Sequence, residues 1–279
     1  MSKSYIKKII SSENELKFIK MDLIESYEIV DKIILIDANF THSGLKRNFL
    51  SDDSINNFFD SSERKRIFHL KINIDNIVYK NTISDRELHF NERIIRGFFE
   101  YEMEFKNSDI IFSLDADEVL YRDTYISLLN QLKNTNNKAY LIKLHNLVYK
   151  PNYVWSNIDF IGPTVCRFDY YKSIKMRIKS KFKKYKQWRY HGNLYNIFGG
   201  VHFNWHLTPE EMVEKLNNYA HKDWYIGKKY SEDYFKKCIE NKLYFDPNKK
   251  CEIKTIDIYN NNILPKSFLE NINYFKYLL

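Results

Sequence analysis

Short apolar runs alternate with helical periodicities through the first half of the chain. Residues 5–10 read as a strand. Ser12-Glu13-Asn14-Glu15 then forms a capping box, Ser12 as N-cap and Glu15 reaching back. The helix it opens is expected to bury Leu16, Ile19, Leu23, Ile24 and Tyr27. Residues 32–36 predict a second strand, ending in Asp37-Ala38-Asn39, and residues 66–72 a third. A helix over 87–105 would turn Ile94, Ile95, Phe98 and Met103 to the core. A strand over 110–114 and a helix near 124–132 follow. This order of strands and helices predicts an α/β domain with a largely parallel sheet.

The second half reads differently. Residues 139–145 and 164–170 look like strands. Residues 174–182 alternate, with Ile174, Met176, Ile178 and Phe182 on one face and Lys175, Arg177, Lys179 and Lys181 on the other. Gly199-Gly200 punctuates before a strand over 201–205. Thr208-Pro209-Glu210-Glu211 is a helix start, and its helix would bury Met212, Leu216 and Tyr219. From Ser231 onward the chain is helical or irregular. We expect one compact unit, an α/β half joined to a mixed half near residues 135–150.

The 279 residues suffice for a sizeable core. A net charge of +8 implies anionic partners: nucleic acid, anionic lipid, sugar nucleotides or acidic glycans. Nine of these cations lie in 172–189, which holds no acid and interleaves Phe182, Tyr185 and Trp188. That segment could serve as a backbone-tracking nucleic-acid surface, but it reads rather as an edge strand kept apart by its lysines or a contact to a membrane or anionic acceptor, and no nucleic-acid partner is expected. Cys166, Cys238 and Cys251 are far apart, which argues against a disulfide framework or a zinc site. The N-terminus lacks a signal-peptide core and no apolar run is long enough to cross a bilayer, so a cytoplasmic chain is expected.

The richest chemistry lies in Asp109-Ile-Ile-Phe-Ser-Leu-Asp-Ala-Asp-Glu118. An apolar strand ends there in Asp115, Asp117 and Glu118, carboxylates that repel one another unless a cation sits among them. Oxygen ligands of this kind suit Mg²⁺ or Mn²⁺ bridged to substrate phosphates. Strand ends of open α/β sheets are also where ligands bind. The bland alternative is a solvated acidic turn capping the next helix. Two enzyme readings compete with it. One is the Asp-x-Asp of nucleotide-sugar glycosyltransferases, whose metal neutralises a departing diphosphate. The other is a haloacid-dehalogenase-type phosphatase, whose nucleophile motif Leu-Asp-Ala-Asp-Glu-Val fits. The later acidic pair that phosphatase needs is missing, because Glu210-Glu211 and Glu232-Asp233 read as first turns of helices.

Further motifs resemble glycosyltransferase family 17, which includes the β-1,4-mannosyl-glycoprotein β-1,4-N-acetylglucosaminyltransferase. Asn14-Glu15-Leu16, Asp37-Ala-Asn39-Phe-Thr41-His42-Ser43-Gly44, Asn91-Glu92-Arg93, Asp115-Ala-Asp117-Glu118 and Gly200-Val-His202-Phe203-Asn-Trp205 occur in the family's order, with Lys215 and His221 following. Asp37, Val201 and Asn204 depart from the family's Glu, Trp and Ser, and Val119 stands where a Pro is usual. The resemblance implies a GT-A-type fold. Its nucleotide-binding half, Rossmann-like with a mixed sheet, would cover 1–135, its acceptor half 136–230, and a C-terminal segment 231–279. It also implies a UDP-sugar donor, UDP-GlcNAc foremost, an inverting transfer to a glycan hydroxyl, and a bacterial or viral relative.

In that role Asp115, Asp117 and His202 would hold the metal, and an imidazole in the set favours Mn²⁺. Asp37 and Asn39 would meet the nucleoside and Thr41 and His42 would cover it, with Asn14, Glu15 and Asn91 completing the donor site. Arg93 and Arg96 would face diphosphate. Their alternative is a solvated face with Glu92–Arg96 and Arg96–Glu100 pairs. Glu118 is the candidate base, with Asp159 behind it. His191, His206 and His221 are further imidazoles, and Trp155, Trp188 and Trp205 could stack on sugar rings or belong to the core.

Overall fold

The structure is a computed structural model and describes residues 2–173, 189, 192–218 and 230–279. In chain order the first half runs β1 (Ser4–Ile10), α1 (Leu16–Glu25), β2 (Lys32–Ala38), α2 (Asp52–Phe58), α3 (Ser61–Arg64), β3 (Ile67–Ile72), α4 (Asp85–Gly97), α5 (Phe99–Glu102), β4 (Ile110–Asp115), β5 (Glu118–Leu120) and α6 (Arg122–Asn134). The second runs β6 (Ala139–Val148), β7 (Tyr153–Trp155), β8 (Phe160–Arg167), α7 (Phe168–Ser173), β9 (Asn193–Asn204), α8 (Pro209–Asn218), α9 (Glu232–Glu240), β10 (Ile253–Thr255) and α10 (Lys266–Glu270).

One sheet runs through both halves in the order β10-β7-β6-β8-β4-β1-β2-β3. Strands β3, β2, β1 and β4 are parallel, as the alternating strand and helix signals predict. β8 then enters antiparallel between β4 and β6. β9 pairs parallel with β6 and antiparallel with β5, so the sheet curls back over the end of β4. The result is a mixed α/β fold. Two apolar clusters cover the faces of the parallel strands. One gathers Ile6, Ile33, Phe112 and Leu128, the other Ile34, Ile36, Ile94 and Phe99. A buried strand must be apolar on both faces, which explains the near-continuous Ile and Leu runs.

Several local expectations change. Tyr27 is exposed, because α1 stops at Glu25 and the residues after it turn outward. The helix expected over 87–105 divides into α4 and α5 and ends at Glu102, with Met103 in extended backbone. Residues 168–170 belong to α7, not to the strand before it. Gly199 and Gly200 lie inside β9 rather than ahead of it. A Cβ on Gly200 would come 2.2 Å from the Val119 carbonyl oxygen, so the glycine serves strand contact rather than a turn. No helix follows Val119 directly; Glu118–Leu120 form β5 and α6 begins at Arg122. The alternating stretch 174–182 and Tyr219 lie outside the described residues. No helix among the described residues is long and apolar enough to cross a membrane.

Candidate active site

The parallel strands end on one edge, and the register aligns what they carry there. Asp115 on β4 lies opposite Ile9 of β1, and Asp37 on β2 lies opposite Ile10. The turn Ala116-Asp117 then leads into β5, whose Glu118 faces His202 of β9. The Phe203 N–H donates to the Asp117 carbonyl at 2.8 Å, tying the turn to β9. Thus the acidic turn of Asp115, Asp117 and Glu118 and the sequence-distant His202 meet at the sheet edge.

The acids are not equivalent. Asp115 is clamped by two guanidiniums: it pairs with Arg96 of α4, whose Nη2 donates to Oδ2 at 3.0 Å, and with Arg189 at 2.5 Å. Burial alone would raise its pKa, but the Arg189 and Arg96 charges hold it well below the usual carboxylate range. Glu118 is fully buried. Its Oε1 accepts from Arg189 at 2.5 Å and its Oε2 from the Asp115 N–H at 2.7 Å. Burial pushes it up to about 7 against the pull of Arg189, with Asp115 adding to the rise. A proton arriving at this pair therefore goes to Glu118. Gly162 makes room for the arrangement, because a Cβ there would come 2.3 Å from Arg189 Nη2.

Asp117 has a different setting. Its Oδ1 lies 3.7 Å from His202 Nε2 and its Oδ2 lies 3.6 Å from Lys215 Nζ of α8. His202 stacks on Phe160, with ring centroids 4.0 Å apart, and burial lowers its pKa to about 4. It is therefore a neutral imidazole near pH 7, the form that binds metals. Asp117 and His202 are set as a pair, and the expected third ligand, Asp115, is turned to its arginines instead. No group of three or more His, Cys, Asp or Glu side chains that could hold a metal ion occurs among the described residues. Were a divalent cation to bind here, Asp117 and His202 would supply one carboxylate and one imidazole, and its other ligands would have to be non-protein oxygens.

The other expected residues divide into rim and scaffold. Glu15 reaches back to Ser11 and Ser12 as the capping box requires, accepting from their N–H groups at 2.6 and 3.3 Å. Burial raises its pKa, and Lys215 opposes the rise. Asn14 donates to Glu211 of α8, so the loop after β1 and the second half of the chain touch across the site. Arg93 is half-buried on α4. His42 is close enough to Glu92 to help lower that acid's pKa, after Arg96 and His89 and against burial.

Asp37 is fully buried and committed, accepting from Arg47, from the Leu50 N–H at 2.7 Å and from His69 at 3.0 Å. Asn39 is likewise committed, donating to Asn73 and Asp75 and accepting the Ile74 N–H at 3.0 Å. Asn91 accepts the Tyr79 N–H at 2.8 Å and donates to the carbonyls of His42 and Tyr79 at 3.0 and 2.8 Å. It pins the Thr41–Gly44 loop, in which Thr41 Oγ1 accepts the Leu45 N–H at 3.1 Å. These three side chains are thus engaged in holding neighbouring loops and strand ends together. Among the other candidates, Asp159 pairs with Lys143 at 2.6 Å, and His206, Trp155 and Trp205 are buried. His191, His221 and the basic segment 172–189, apart from Arg189 and the backbone of residues 172 and 173, lie outside the described residues.

Three cations were not anticipated, and a fourth, Arg189, is buried on the acidic turn instead of contributing to a basic surface. Lys7 and Lys8 sit fully buried within β1. Lys7 Nζ donates to the Arg96 carbonyl at 3.4 Å, and burial, with Arg96 nearby, lowers its pKa to about 7. Lys8 reaches under the acidic turn. Arg47 spans the ends of β1 and β2, donating to the Ser11 and Ile10 carbonyls at 2.9 and 3.0 Å. Arg189 supplies the clamp on Asp115 and Glu118. The signal for the lysines was present: two adjacent charges inside an apolar run that has no exposed face.

No family model and no curated protein sequence matches the chain. Among solved structures it is similar to a 4-diphosphocytidyl-2C-methyl-D-erythritol synthase, at a TM-score of 0.40 and 11% identity over 78% of this chain and 100% of that one. It is also similar to residues 1–349 of S. aureus TarS in complex with UDP-GlcNAc, at a TM-score of 0.36 and 11% identity over 77% of this chain and 64% of that one. A longer TarS chain gives a TM-score of 0.38 and 10% identity, with 38% of that chain covered. The chain therefore spans less than two thirds of the TarS chains it matches, and all three likenesses are distant.

Proposed function

We propose that the chain is a nucleotide-sugar transferase of the GT-A type, related to glycosyltransferase family 17. In this reading it moves GlcNAc from UDP-GlcNAc to a glycan hydroxyl with inversion. The observation that carries the reading is the setting of Asp117. It is a carboxylate just past the C-terminal end of a parallel strand, beside a neutral imidazole and a lysine, while two arginines are paired to Asp115 two positions before it.

Asp117 and His202 would hold a divalent cation, and the imidazole favours Mn²⁺ over Mg²⁺. When bound, the ion would neutralise charge on a departing diphosphate. Lys215 and Arg93 would meet the same oxygens from α8 and α4. Asp115 orients Arg96 and Arg189 towards that space and is a ligand only if a guanidinium moves away. Glu118, enclosed by Arg189 and the Asp115 N–H, holds the turn in shape; its burial leaves no path for an acceptor proton. Asn14, Glu15, Thr41 and His42 form the rim over the nucleotide. The phosphatase reading loses its nucleophile, since both oxygens of Asp115 are occupied by guanidiniums.

Calorimetric titration of UDP in the presence and absence of Mn²⁺ tests the proposal. Metal-dependent UDP binding that disappears in Asp117→Asn is the expected result. Absence of UDP binding with either Mn²⁺ or Mg²⁺ would sink it.

A further inference from the structure

We propose that Lys8 is the positioning residue of the Asp117 turn, a role that rests on reading Asp117 as the ligand-binding carboxylate. An ammonium group carries three N–H donors and no acceptor. Lys8 is fully buried, and three acceptors surround its Nζ. The Ala116 carbonyl lies at 3.0 Å and the Glu118 carbonyl at 2.5 Å, while the third is the carboxylate of Asp22. Two of the three are the backbone carbonyls on either side of Asp117. The carbonyl between them, that of Asp117 itself, accepts the Phe203 N–H at 2.8 Å. Three consecutive carbonyls are therefore fixed, two from beneath by one ammonium and one from the side by β9.

The rest of the contact supports the grip. Asp22 is also fully buried, and Tyr125 Oη donates to its Oδ1 at 2.7 Å. A buried ion pair contributes little stability over two well-packed apolar side chains, because desolvation offsets the attraction. An apolar pair would hold α1 on β1 equally well but could not donate to the turn. The lysine thus gives the strand what its apolar neighbours cannot: donors aimed at the backbone of the turn that leaves the adjacent strand β4. Residues that orient a metal ligand from behind commonly change metal affinity by about 10–100-fold when removed.

The test compares two variants that break the same ion pair. Lys8→Met removes the donors to the turn, whereas Asp22→Asn removes the counter-charge and leaves the donors in place. Both should lower the melting temperature. Mn²⁺ binding in the presence of UDP, read from the electron paramagnetic resonance signal of unbound Mn²⁺, should weaken about tenfold or more in Lys8→Met. Asp22→Asn should keep the wild-type affinity. Independently of any ligand, the Phe203 amide should exchange its hydrogen faster in Lys8→Met but not in Asp22→Asn. Lys8→Gln, which retains N–H donors, should recover part of the protection and serves if the methionine variant does not fold. Equal losses in Lys8→Met and Asp22→Asn, or unchanged Phe203 exchange in Lys8→Met, would overturn the inference. A wild-type protein that binds neither Mn²⁺ nor UDP, with the exchange contrast intact, would remove the transferase reading and leave the positioning role standing.

Discussion

Asp115 and Asp117 stand two positions apart and do opposite work. Asp115 is the counter-ion of a buried guanidinium pair, so its loss leaves Arg96 and Arg189 short of charge in a dry site. Removing one partner of a buried ion pair costs about 3–5 kcal/mol, and the partial exposure of Asp115 lowers this to roughly 2–3 kcal/mol. Asp115→Asn should therefore shift the urea midpoint strongly. Asp117→Asn, whose cationic partner Lys215 is 3.6 Å away and whose neighbour His202 is neutral, should leave the midpoint almost unchanged while abolishing Mn²⁺-dependent UDP binding. Denaturation curves of the two variants decide this, and equal shifts would mean that both acids are structural. The sequence marked these carboxylates through the abrupt end of an apolar run. It could not show which was clamped, because Arg96 and Arg189 are 19 and 74 positions from Asp115 and only the fold brings them together.

Among the elements, the three-residue strand β5 governs the geometry of the turn. It is held by β9, and the contact is close enough to demand a glycine opposite Leu120, where a Cβ would meet the Val119 carbonyl. A methyl group on Gly200 would meet backbone, not a side chain that could step aside. Gly200→Ala should cost about 2 kcal/mol through forced separation of the strands. It should also weaken UDP binding more than a core substitution of equal cost, and parallel measurement of both quantities would show whether it does. The long, strongly apolar strands and the helix after Thr208 were readable from period and capping alone. β5 and the full length of β9 were not, because three residues are too few for a period and a double glycine within a strand mimics a turn. Lys7 and Lys8 are hidden for a different reason: the apolar run around them marks a buried strand without showing where its two charges find partners.

Taken together, the buried histidines set how the fold responds to acid. Burial lowers His145 and His202 to about 4 and His206 to about 3. The unfolded chain takes up protons at these groups from the ordinary histidine range near 6.5, whereas the folded chain resists until much lower pH. Their contribution to stability is present above that range and declines as pH falls through the folded values. Glu118, raised to about 7, acts in the opposite sense, favouring the folded state as pH falls from 7 towards the ordinary carboxylate range. Glu15 and Asp22, also raised by burial, act in the same sense as Glu118. The histidine contribution is therefore isolated by substitution: between pH 6.5 and 4 the melting temperature of His206→Gln should fall less than that of the wild type in a pH series of thermal scans. Equal falls would show that His206 reaches water in the folded state.

The anchoring of Asp117 by Phe203, His202 and Lys215 also constrains how the protein comes into being. A chain made from its N-terminus presents β1 and β4 long before β9 and α8 leave the ribosome. Until Lys215 has emerged the acidic turn has no partner on its far side, and parallel pairings between distant strands form slowly. The growing chain therefore exposes its carboxylates without the imidazole and lysine that organise them. On the proposed function, competence for ligand would appear late and all at once, when β9 and α8 close over the acidic turn.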